Sequence, residues 1–98
     1  MKKADIITFA RDHGAQVELK TFDNSEFISV TVGTEDTGNS RVAGWNQGLN
    51  IREINSYWEI DFSQNSKTRL LMDREVTAIL EKWCQNPVDE LLNNYIEN

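Results

Sequence analysis

The sequence predicts a single α+β domain over residues 1–98, with an N-terminal helix, a small and mostly antiparallel sheet of three to five strands, and two C-terminal helices. Three observations lead there. Apolar residues recur at helical spacing near both ends of the chain, they alternate with polar ones through the middle, and glycine, asparagine, aspartate and serine cluster between the segments. A chain of 98 residues is too short for two independent cores, yet three Trp, four Phe and two Tyr supply large side chains for one.

Ile6, Phe9, Ala10 and His13 fall at i, i+3, i+4 and i+7, with Ile7 widening the stripe and Gly14 placed to end the helix. From Gln16 the period becomes two. Val17, Leu19 and Thr21 alternate with Gln16, Glu18 and Lys20, and Asp23, Asn24 and Ser25 supply the turn. Glu26 to Val32 forms the second half of a hairpin, with Ile28, Val30 and Val32 on one face. Gly33 to Ser40 carries no apolar side chain and reads as a solvated loop.

Between Arg41 and Phe62, Gly44 and Gly48 suggest a bulge or bend. Ile51, Ile54, Asn55 and Trp58 fit a helical spacing, but the alternation of Trp58, Ile60 and Phe62 with Glu59 and Asp61 favours strands. Thr68 to Met72 is a short edge strand or a lead-in to a helix. Val76, Ile79, Leu80 and Trp83 then repeat at helical spacing behind Asp73 as N-cap. Asn86 and Pro87 open a last helix as N-cap and first residue, burying Val88, Leu91, Leu92 and Tyr95.

Composition narrows the chemistry. One cysteine, Cys84, makes an internal disulfide impossible and suits a reducing, cytoplasmic setting. Asp5, Arg11 and Asp12 break any export signal, and there is no membrane-spanning run. A net charge of −6 disfavours direct binding to nucleic acid or an anionic membrane and favours a basic protein surface. His13 and Cys84 are the single histidine and cysteine, and their contexts read as a helix cap and a core thiol, so no catalytic residue and no cofactor are expected. No short-spaced Cys and His set or calcium-loop pattern indicates a metal. The glycines of GTEDTGNS have P-loop separation, but Asn39 stands where the lysine is needed and Glu35 and Asp36 repel phosphate.

The candidate partner-binding residues are therefore exposed ones. Glu35 and Asp36 form an acidic pair in a loop without apolar anchors. Glu59 and Asp61 lie on one side of a strand, about 6.6 Å apart along it, and Trp45 between flexible glycines can anchor an interface.

Over roughly residues 3 to 85 the element order is similar to that of the double-stranded-RNA-binding domain. That family's lysine cluster is replaced by Asp73-Arg74-Glu75, and its Gly-Pro-x-His loop is missing, so its RNA-binding residues do not carry over. In size, acidity and element order nearly the whole chain resembles small acidic type II anti-CRISPR proteins. That resemblance implies a non-enzymatic inhibitor from a bacterium or mobile element, whose acidic side chains occupy the basic channel of an RNA-guided CRISPR nuclease. A toxin-immunity protein would use the same physics, and a small enzyme with a Cys84/His13 site is the remaining alternative.

Overall fold

The computed structural model describes residues 1–34, 45–62, 69–87, 91, 92 and 94. Its elements run α1 (Lys3–Asp12), β1 (Gln16–Phe22), β2 (Ser25–Thr34), β3 (Trp45–Ile54), β4 (Tyr57–Asp61) and α2 (Asp73–Gln85). The sheet is an antiparallel meander in the order β1-β2-β3-β4. The α+β class follows directly from this layout.

Helix α1 ends as its sequence demands. Gly14 takes φ +90°, and the Gly14 and Ala15 amides donate to the carbonyls of Arg11 at 3.0 Å and Ala10 at 3.1 Å, a paired closure that satisfies the orphan carbonyls of the last turn. The His13 ring nitrogen Nδ1 lies 2.8 Å from the Phe9 carbonyl, and its ring stacks on Phe9 with centroids 4.3 Å apart. His13 is thus a helix cap, as its position indicated.

Both hairpins turn on two residues with positive φ: Asp23 (51°) and Asn24 (63°), then Asn55 (49°) and Ser56 (72°). That geometry is the two-residue turn whose twist matches the strands. The first was legible from its turn residues. The second lay hidden, because Asn55 also fits a helical spacing.

Strand β2 extends beyond the expected Val32 and takes up Gly33 and Thr34, which the sequence reading assigned to a loop. Pairing with β3 explains the difference, since Gly33 lies opposite Asn46 and Thr34 opposite Trp45. No bulge interrupts β3 at Gly48, which sits in unbroken register opposite Thr31.

Alternation sorts the sheet into two faces. Val17, Ile28, Val30, Leu49, Ile51, Trp58 and Ile60 point to the helices and form one core with Ile6 and Ala10 of α1 and Val76, Ile79, Leu80, Trp83 and Cys84 of α2. Leu19 shares that side but is 52% exposed, because β1 is the edge strand and the helices cover it only near Val17. Leu71 supplies a single bridge rather than a fifth strand: its N–H and C=O both bond to Trp58, at 2.7 and 2.8 Å, and its side chain is fully buried.

Asp73 is the first helical residue of α2 rather than its N-cap; Met72 takes the cap position, and its N–H donates to the Glu75 carboxylate at 2.9 Å. Only one helix, α2, is clearly C-terminal, against the two expected; most of the segment assigned to the second lies outside the described residues. Leu91 and Leu92 of that segment are helical, with Leu92 buried and Leu91 packed against the core.

Two substitutions test this packing. A Cβ built on Gly48 meets nothing nearer than the Val30 carbonyl at 3.5 Å, so Gly48→Ala fits and removes glycine's excess freedom from the unfolded chain. It should stabilise by about 0.5–1 kcal/mol, raising the melting midpoint by about 2–8 °C in differential scanning calorimetry. Leu71→Ala should instead cost about 2–5 kcal/mol in urea denaturation, since it empties a fully buried position.

Candidate functional site

The side of the sheet away from the helices is the candidate site, because none of the described elements packs over it. The register builds it in rows. Lys20, Phe27, Arg52 and Glu59 stand side by side across the four strands, and Glu18, Ser29, Asn50 and Asp61 form the next row. Period-two alternation puts these residues outward by the same step that turns Ile28, Ile51 and Ile60 inward.

The first row is internally bonded. Arg52 donates from Nη2 to Glu59 Oε1 at 3.0 Å, and its guanidinium carbon lies 5.6 Å from the centre of the Phe27 ring. Arg52 Nε is buried without a hydrogen-bond partner among the described residues. A depression of about 250 Å³ opens beside this row, lined by Lys20, Phe22, Phe27, Asn50 and Asp61. Phe22 is the most solvent-exposed large apolar side chain described, at 75%.

The structure separates the two carboxylates that the sequence treats as a pair. Both belong to β4 and share its outer side, but the Glu59 side chain is only 26% exposed and is held by Arg52. The expectation that Glu59 simply faces water is corrected by that contact. Asp61 is exposed and lines the depression. Trp45 is the first residue of β3, paired with Thr34, and its side chain lies outside the described residues. Glu35 and Asp36 lie outside them as well.

A second polar cluster sits where β4 meets α2. The Trp58 indole Nε1 donates to Asp73 Oδ1 at 2.6 Å, and the Met1 ammonium donates to Oδ2 at 2.9 Å. These two donors, the indole foremost, hold the Asp73 carboxyl below the usual carboxylate range. The Arg69 guanidinium, 2.7 Å from Glu75, does the same for that residue with help from the Met72 N–H. A shallow, open depression lined by Ser56, Tyr57, Met72, Asp73 and Arg74 adjoins the cluster. Asp73 and Glu75 are committed to these contacts, which gives the cluster a structural role.

Sequence reasoning missed Arg52, Phe27 and the Trp58–Asp73 bond. Arg52 and Phe27 become neighbours only through the β2–β3 register, and Trp58 and Asp73 are fifteen positions apart. The available signal was parity: Phe27 breaks an otherwise polar outer pattern on β2.

The structure does not show His13 and Cys84 acting as a nucleophilic pair. His13 is engaged with Phe9, while Cys84 is buried in the core and burial pushes its thiol pKa up, away from the reactive thiolate. Among the described residues no group of three or more His, Cys, Asp or Glu is placed to hold a metal, and no helix is long and apolar enough to cross a membrane. No family model, curated protein or solved structure matches this chain.

The depressed carboxyls fix the sign of an acid effect. Because Asp73 and Glu75 titrate lower when folded than when unfolded, their stabilisation is complete above the unfolded value and is lost as pH falls through the folded value. Melting midpoints should hold between about pH 5 and 7 and fall below about pH 4. Asp73→Asn keeps an oxygen for the indole but cannot ionise, so its midpoint should fall less steeply with acid than that of the parent.

Proposed function

We propose that this protein is a non-enzymatic inhibitor that binds a basic, nucleic-acid-binding protein, in the manner of the type II anti-CRISPR proteins it resembles. The observation that carries the reading is the open outer face of the sheet, which presents Asp61 beside exposed Phe22 and half-buried Phe27 in a chain of net charge −6. Aromatic side chains contribute contact area, and carboxylates complement lysine and arginine on the partner.

The occupied partner is an RNA-guided nuclease whose positively charged channel normally holds a guide–target duplex. Blocking that channel needs no catalysis. It needs a rigid surface, and a sheet backed by a single core provides one. The chain itself should bind neither duplex DNA nor duplex RNA tightly at physiological salt, because duplex binding requires clustered Lys or Arg to replace counterions.

The decisive experiment is affinity capture with the intact chain from bacterial lysates carrying a type II system, followed by cleavage assays with the captured nuclease. Recovery of the nuclease and loss of target cleavage support the proposal; recovery of a secreted toxin in its place would make the chain an immunity protein. Asp61→Lys should weaken capture by about tenfold or more, with the melting midpoint measured on the same sample so that loss of binding is read apart from loss of fold. Glu59→Lys should by contrast lower stability by about 1–2 kcal/mol, since it sets a lysine against Arg52, and therefore cannot separate binding from folding.

A further inference from the structure

We propose that the edge of β1, which pairs with no strand but β2 among the described residues, pairs with β1 of a second copy of this chain, antiparallel and centred on Leu19, to join two four-stranded sheets into one of eight strands. The edge is open in a specific pattern. A two-residue turn makes Phe22 and Ser25 a mutually hydrogen-bonded pair, so every second residue back along β1 bonds inward to β2. Val17, Leu19 and Thr21 therefore turn their N–H and C=O groups outward.

Two contacts agree with this parity. The Val17 carbonyl accepts a 3.2 Å bond from Arg11 Nη2, which reaches it from outside the sheet. In the second hairpin, built on the same kind of turn, the equivalent outward residue Trp58 does bond to a neighbour beyond the edge, Leu71. The sheet's β4 edge is thus partly covered, and its β1 edge is exposed at every residue except Val17.

Charge selects a second copy as the occupant and fixes the register. With Leu19 opposite Leu19, Glu18 of each copy lies directly across from Lys20 of the other, giving two opposite-charge pairs related by the twofold axis. Sliding by one hydrogen-bonding step puts Glu18 against Glu18 in one direction and Lys20 against Lys20 in the other. Like charges directly opposite are unfavourable. The centred register also lays Phe22, 75% exposed, over Gln16 of the second copy, and brings the two half-exposed Leu19 side chains together. Within one copy Glu18 and Lys20 are 3.9 Å apart, a loose pair between exposed side chains that is free to exchange partners. The Val17 carbonyl keeps a second lone pair for the incoming Thr21 amide.

The test uses the purified chain alone, so its outcome is independent of any nuclease. Sedimentation velocity and native mass spectrometry from about 1 μM to 1 mM should show a concentration-dependent dimer. Glu18→Lys and Lys20→Glu should each weaken self-association by about tenfold or more, since each converts both pairs to like charges. Mixing the two variants should restore dimerisation as a heterodimer, because lysines at 18 and 20 then face glutamates at 18 and 20. Leu19→Pro, which removes an outward N–H and no hydrogen bond to β2, should give a folded monomer by circular dichroism. A monomer at all concentrations overturns the proposal, and so do single charge variants that dimerise as well as the parent or a mixture that fails to recover.

Discussion

The acceptor that the buried indole of Trp58 finds organises the molecule. Its ring is 1% exposed, and its N–H reaches Asp73 at the start of α2. Its backbone bonds Leu71 in both directions, and Asp73 in turn receives the Met1 ammonium. One residue thereby fixes β4, the segment leading into α2, the helix itself and the start of the chain. Trp83, equally buried, leaves its N–H without a partner among the described residues, so its contribution rests on the apolar contacts of its ring. Two tryptophans of the same core thus do different things: one fills space, and the other fills space while setting the position of a helix.

The fold was legible wherever a local period decides the structure. The stripe of Val76, Ile79, Leu80 and Trp83, the Gly14 stop and the inward set of Ile28, Val30, Trp58 and Ile60 all follow from spacing alone, and all are found buried or capped as expected. Illegible parts depend on pairing. Gly33 and Thr34 look like loop residues until β3 is laid beside them, and Gly48 looks like a bend until its register shows none. Asn55 and Ser56 became a turn because Asn tolerates positive φ, a property that helical spacing around Ile51 and Ile54 masked.

At the candidate site the same division holds. Glu59 and Asp61 were placed on the correct strand and the correct side, yet their environments differ because Arg52 stands opposite only one of them. A sequence lists the carboxylates but not their cross-strand neighbours. The outer face therefore combines a row in which Arg52 is committed to Glu59 and Phe27 with a second row ending in Asp61 beside the depression.

The strand order β1-β2-β3-β4 has a kinetic consequence, since each strand pairs with the one just made. Two of the three pairings close through two residues, and the third closes across the segment between Thr34 and Trp45. Closure entropy rises only slowly with loop length, so the whole meander assembles from cheap local steps on the timescale of hairpin formation. Helices α1 and α2 also meet, although the whole sheet lies between them in sequence, which makes theirs the longest closure of the fold. Among the contacts that hold α2 to the sheet, those of Trp58 with Leu71 and Asp73 span the shortest stretch of chain, so they ask least of loop closure.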